Sequence, residues 1–156
     1  MASIDRSDPV ILGHLLAEHR DLFNLIQSVR KALADPGEPT AERHAAVLES
    51  LRSLRCHLRD HFAQEESGGF LEEAVTRIPR LSAAMRSIIG QHPDLLVELD
   101  AVIAGLESAP ASSDSPAAWG DASRAYERFA DHMTAHEQRE NAVVQEGYCE
   151  DLGLCE

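Results

Sequence analysis

Two stretches of this chain repeat one pattern. "HLRDHFAQE" carries His57, His61 and Glu65, and "HMTAHEQRE" carries His132, His136 and Glu140, each set spaced by four residues. Side chains four apart on a helix are displaced by about 6 Å along the axis and about 40° around it, so they project from one face on adjacent turns. In both stretches that face is also the apolar one. Val47, Leu48, Leu51, Leu54 and Leu58 form a stripe that runs directly into His61 and Glu65, and Tyr126, Phe129 and Met133 mark the buried side of the segment with His136 and Glu140. The chain must therefore fold so that imidazoles and carboxylates enter a core, which tolerates them only with partners.

The remaining segments are helical in pattern. Asp8 can cap a first helix with Pro9 in its first turn, followed by Leu12, Leu15, Leu16, Leu22, Ile26, Val29 and Leu33 before "ADPGEPT" stops it. Thr40 can cap the second helix, which "SGG" ends. "FLEEAVTRIP" reads as a short helix or irregular connection. The third helix is expected from about Arg80 to Glu107, through Leu81, Met85, Ile88, Ile89, Leu95, Leu99, Val102 and Leu106, with Pro93 predicting a kink or local opening. After the polar "SAPASSDSP", Ser115 and Pro116 restart a helix expected to last to about Gln145. Apolar residues make up 44% of the 156 positions but aromatics only 4%, and Leu, Ala, Ile and Val dominate, so sheet is disfavoured. The expected fold is all-α: one up-down-up-down four-helix bundle over residues 1–147 and a C-terminal tail over 148–156.

Acidic residues outnumber basic ones by 27 to 14, for a net charge of -13, and no basic block interrupts them. This balance argues against nucleic acid or a membrane surface as partner and favours cations, although most of the carboxylates fit solvated helix faces. The N-terminus has no basic segment followed by a long apolar run, and no stretch approaches the roughly 18 apolar residues of a membrane span, so a soluble cytoplasmic protein is expected. Cys56, Cys149 and Cys155 are odd in number and form no CxxC pair. Neither a disulfide framework nor a zinc ribbon is suggested, though the tail "CEDLGLCE" has the residues for a redox-active or metal-touching pair.

The first and third helices each carry one histidine where their stripe calls for an apolar residue, His19 between Leu16 and Phe23 and His92 between Ile89 and Leu95/Leu96. Up-down-up-down topology makes helices two and four parallel and diagonal, so the pairs His61/Glu65 and His136/Glu140 face each other while His19 and His92 fill the gaps. Taken singly, a histidine on an apolar stripe is an ordinary core residue, and one HxxxE is an ordinary surface pair. All four helices contributing at once is a different matter. Burying four imidazoles and two carboxylates without partners would cost about 1–3 kcal/mol per neutral group and several for each carboxylate, comparable with the stability of a whole domain. Metal ions remove that cost: imidazole and carboxylate suit iron, zinc or manganese, and two glutamates between two ions can bridge them, leaving two histidines for each.

At these residues the chain resembles the hemerythrin-like, or HHE cation-binding, family. The resemblance lies in "EHRDL" around His19, "DHFAQEE" around His61, "GQHPDLL" around His92 and "AHEQREN" around His136, in order over nearly the full length. It implies a bundle holding two iron ions, a non-haem di-iron centre, with His19, His61, His92 and His136 as terminal ligands and Glu65 and Glu140 as bridges. One departure stands out: oxygen-carrying members place HxxxH on the third helix, whereas the positions four from His92 are Ile88 and Leu96. Fewer protein ligands leave the irons more open to oxygen, nitric oxide, peroxide or water. Glu66 and Glu137 are near enough to be alternative ligands. Ferritin-like centres are excluded because no histidine has a glutamate three residues before it, and "HEQRE" lacks the second histidine of a zinc protease.

His57 and His132 occupy equivalent layers one turn before His61 and His136, where each can be an extra ligand, a hydrogen-bond donor to the bridging glutamates, or a packing residue. His14 and His44 look ordinary. No nucleophilic set or phosphate loop is present, so the expectation is a protein that binds metal and a small diatomic or peroxide ligand rather than an enzyme. Redox chemistry on nitric oxide or peroxide, or repair of iron centres, is the enzymatic alternative; a non-catalytic cation-binding interaction module is the third reading.

Overall fold

The computed structural model describes residues 9–37, 40–68, 71, 75–76, 78–108 and 116–152. Four long helices make up the fold: α1 Pro9–Ala34, α2 Ala41–Gly68, α3 Ser82–Ser108 and α4 Pro116–Leu152. A short 3-10 turn, Pro79–Leu81, leads into α3. Within the intervening segment Leu71, Val75 and Thr76 are helical, in keeping with a short extra helix there. Among the described residues there is no strand.

Local chemistry accounts for several of the boundaries. The Thr40 hydroxyl accepts a hydrogen bond from the Arg43 amide at 3.1 Å and so caps α2. Asp35 and Gly37 turn the chain between α1 and α2, with the Gly37 amide donating to Asp35 Oδ1 at 2.9 Å. The Arg43 guanidinium gathers the end of α1 by donating to the carbonyls of Ala32 and Asp35, and it lies 4.7 Å over the Trp119 ring. Trp119 in turn donates to the Leu33 carbonyl. The expected caps Asp8 and Ser115 lie outside the described residues. Pro93 sits inside α3 with helix on both sides of it. The last helix runs on to Leu152, past the expected end near Gln145, with Val143 and Val144 on its buried face. Residues 148–152 of the expected tail are thus helical, while Cys155 lies outside the described residues.

Each helix packs chiefly on two others: α1 on α2 and α4, and α3 on α2 and α4. This leaves α2 and α4 diagonal, as the topology demands. The apolar core divides in two. One cluster joins Leu22, Ile26, Leu51, Leu54, Leu58, Leu99, Tyr126 and Phe129; the other joins Leu15, Leu71, Leu81, Ile88, Val143 and Val144. Between them lies a polar layer of His19, His61, Glu65, His92, His136 and Glu140, each at most 5% exposed. On α1 the stripe through that layer is Leu15, His19, Leu22 and Ile26, so Leu22 and not Phe23 is the buried neighbour; Phe23 is 46% exposed.

Candidate metal centre

The polar layer resolves into two groups that share their carboxylates. His19, His61, Glu65 and Glu140 bring one donor atom each within 4.8 Å of one another, and so do Glu65, His92, His136 and Glu140. Glu65 offers one oxygen to each group: Oε1 is paired with His61 Nε2, and Oε2 lies 3.1 Å from His92 Nε2. Glu140 does the same, with Oε1 3.1 Å from His19 Nε2 and Oε2 3.4 Å from His136 Nε2. The imidazoles stand edge to face in pairs, His19 to His61 at 5.1 Å and His92 to His136 at 5.0 Å between centroids.

The outward nitrogens explain why the inward ones converge. His19 Nδ1 donates to Asn141 Oδ1 at 2.8 Å, His92 Nδ1 to Glu66 Oε1 at 3.1 Å, and His136 Nδ1 to Gln91 Oε1 at 2.9 Å. Glu18 Oε2 lies 3.4 Å from His61 Nδ1. Amide and carboxylate oxygens only accept, so these partners place the proton on Nδ1 and leave the Nε2 lone pair aimed at the centre. Four lone pairs then face four carboxylate oxygens, and these eight atoms are buried without a hydrogen-bond partner among the described residues. Acceptor facing acceptor is repulsive in a low dielectric. A cation must sit between them, either a proton or a metal ion.

The proton's claim shows in the direction in which the cluster shifts its pKa values. Burial by itself pulls the pKa of His19 down, but the facing carboxylates of Glu140 and Glu65 push it up to about 10. Burial opposes and Glu65 supports protonation of His61 and His92 as well, and both end above the usual histidine value. Burial would raise the Glu65 pKa, yet His19, His61 and His92 around it hold its carboxyl far below the ordinary range. A metal ion competes for the same lone pairs, and the donor set of two imidazoles and two carboxylate oxygens per group is one that iron, zinc and manganese accept.

The model of the hemerythrin HHE cation binding domain matches residues 10–146 of the chain. The chain belongs to that family. No curated protein and no solved structure matches it. Membership in a cation-binding family and a donor cluster at the centre of the bundle agree on metal binding.

Within this HHE domain the six residues expected to form the centre, His19, His61, Glu65, His92, His136 and Glu140, are brought together. His57 and His132 are not. His57 is exposed, and His132 is exposed and paired with Glu98 at 2.8 Å. Each instead lines a surface groove that reaches one member of the centre, His57 with Glu18, Asp21, Asp60, His61 and Gln64, and His132 with Gln91, Asp94, Glu98, His136 and Arg139. Their four-residue spacing to His61 and His136 is real, but the buried stripe there runs through Leu58 and Met133, three residues before His61 and His136, and leaves His57 and His132 outside it. Glu66 accepts from His92 Nδ1. His44, expected to be ordinary, contacts the Leu106 carbonyl at 2.7 Å and ties α2 to the end of α3. Ile88 and Leu96, four residues from His92, join the apolar clusters.

The outer partners Glu18, Gln91 and Asn141 were not expected from the sequence. Their signal is the position beside each motif: an oxygen-bearing side chain precedes each lone histidine, Glu18 and Gln91, and another follows each motif glutamate, Glu66 and Asn141. One residue of each half of the chain thus serves the opposite half.

Proposed function

We propose that this domain holds a dinuclear non-haem iron centre and binds a small ligand, oxygen, nitric oxide or peroxide, or handles iron. One ion is held by His19 and His61, the other by His92 and His136, with Glu65 and Glu140 bridging. The observation that carries this reading is that each bridging glutamate turns one oxygen toward each histidine pair. Iron supplies redox chemistry and affinity for small diatomic molecules. The protein's own contribution is to fix the imidazole tautomers through Asn141, Glu18, Glu66 and Gln91, and to bury the centre between two apolar clusters.

Two surface grooves give access to the centre: one between α3 and α4, of about 220 Å³, reaches His136, and one between α1 and α2, of about 380 Å³, reaches His61.

The test is anaerobic reconstitution of metal-free protein with ferrous iron, counting ions per chain, followed by exposure to oxygen and, separately, to nitric oxide. Two irons per chain and a visible absorption that appears with the gas are expected. A protein that takes up zinc and iron equally and shows no gas-dependent absorption with iron bound would favour a purely structural cation module instead.

A further inference from the structure

The centre has an approximate two-fold relation between the α1–α2 half and the α3–α4 half. His19 corresponds to His92, His61 to His136 and Glu65 to Glu140, and the outer partners follow the same exchange, Glu18 with Gln91 and Glu66 with Asn141. Each histidine pair therefore has one carboxylate and one amide as its outer partners, so the outer ring does not distinguish the two positions by charge. The residues immediately after the motif histidines do: Phe62 follows His61, and Glu137 follows His136.

Phe62 is 3% exposed, stacks on the His92 ring at 3.9 Å with an interplanar angle of 6°, and meets His136 edge-on at 5.5 Å. It covers one side of the His92/His136 position with hydrocarbon. Glu137 occupies the equivalent place on the other side. Its Oε1 is buried without a hydrogen-bond partner among the described residues, and the imidazoles whose charge acts on it most strongly are His19 and His61. An unpartnered buried carboxylate oxygen costs several kcal/mol in general and persists where a cation compensates it. Its neighbours Glu65 and Glu140 are of like charge, which adds to that cost in the metal-free protein.

Building on the dinuclear reading above, we infer that Glu137 is a third carboxylate donor for the ion held by His19 and His61, making that position the tighter and first-filled of two unequal metal sites. Among the described residues, the donor group at His92 and His136, faced by Phe62, has no protein oxygen beyond those of Glu65 and Glu140. The groove linings lean the same way: Glu18, Asp21 and Asp60 line the groove at His61, whereas Asp94 and Glu98 share the groove at His136 with the basic Arg139.

Titration of metal-free protein with cobalt(II), followed by visible absorption and equilibrium dialysis, tests this directly. Wild type should bind two ions in resolved steps, the first at least about tenfold tighter, and Glu137→Gln should weaken the first step by about ten- to a hundredfold and bring the two together. The tight step should survive His92→Ala and vanish in His19→Ala. Metal-free Glu137→Gln should melt no lower than metal-free wild type, since the substitution removes an unpaired charge; a lower melting temperature would assign Glu137 to folding and overturn its role as a donor. Two equal steps in wild type, or an unchanged first step in Glu137→Gln, would overturn the inference while leaving the dinuclear centre intact. Uptake of fewer than two ions by wild type would remove the dinuclear reading, and the inference with it.

Discussion

At the scale of single residues, the centre depends on which atom of each side chain is already spoken for. A histidine whose Nδ1–H is committed to Asn141, Glu66 or Gln91 has only its Nε2 lone pair left to offer, and the carboxylates opposite it offer the same. Removing a bridge should therefore empty the centre: Glu65→Ala and Glu140→Ala are each expected to lose most bound metal by elemental analysis of purified protein. Two ions per chain retained in the double variant would rule out bridging. Removing an outer partner acts more mildly, since the ligand remains but is free to rotate. Asn141→Ala and Gln91→Ala should each weaken metal affinity by about ten- to a hundredfold, measured by competition with a chelator. An affinity unchanged in both would mean that packing alone orients the rings.

At the scale of helices, the polar layer is held in place by the apolar clusters on either side of it. Tyr126 spans α4 to α1 through a buried 2.7 Å hydrogen bond to the Ile26 carbonyl, beside Phe129. Burial raises the Tyr126 pKa above its usual value, so the hydroxyl remains a donor across the working range. Tyr126→Phe should cost about 1 kcal/mol in chemical denaturation, because the Ile26 carbonyl retains its place in the helix ladder. Phe129→Ala, which opens a cavity beside Tyr126 in the larger apolar cluster, should cost about 3–5 kcal/mol. If both variants lost stability equally, the burden would lie in the hydrogen bond rather than in packing. The helices were largely readable from the sequence because Thr40, Pro116 and the leucine stripes act locally. The extension of α4 past Gln145 to Leu152 was not, because the apolar stripe that marks this helix in the sequence ends at Val143 and Val144.

At the scale of the whole molecule, metal and protons compete for one cluster, and pH sets the balance. His19 has a pKa of about 10 when folded, above its unfolded value near 6.5, so its contribution to metal-free stability is complete below about pH 6.5 and is lost as pH rises toward 10. Glu137 acts in the same direction: burial raises it to about 7, against the opposing pull of His19 and His61, so its contribution is present below about pH 4.5 and disappears as pH rises through 7. Glu65 acts oppositely. Its depressed pKa stabilises the fold above about pH 4.5 and that contribution is lost as pH falls. The metal-free protein should accordingly melt highest near about pH 5–6 and progressively lower toward pH 9. Metal binding displaces the protons and strengthens with pH, so the rise in melting temperature on adding zinc should widen between about pH 6 and pH 8. A metal-free melting temperature that climbs over that interval would contradict the protonated cluster.

The repeated HxxxE, the apolar stripes and the two isolated histidines were sufficient, without coordinates, to indicate a four-helix bundle with six polar groups in its core, because helical periodicity assigns each side chain to a face by local geometry alone. Periodicity does not say how far along a face the burial extends. His57 and His132 share the register of His61 and His136, yet only the packing of α1 and α3 against α2 and α4 puts them at the surface while drawing the next turn inside. Periodicity is likewise silent on which neighbour an imidazole's second nitrogen finds across the bundle. Asn141 reaches His19 from a position 122 residues away in sequence, and Phe62, beside the motif histidine of α2, stacks on His92 of α3. Those pairings depend on the closure of four helices around one centre, and closure is a property of the tertiary structure.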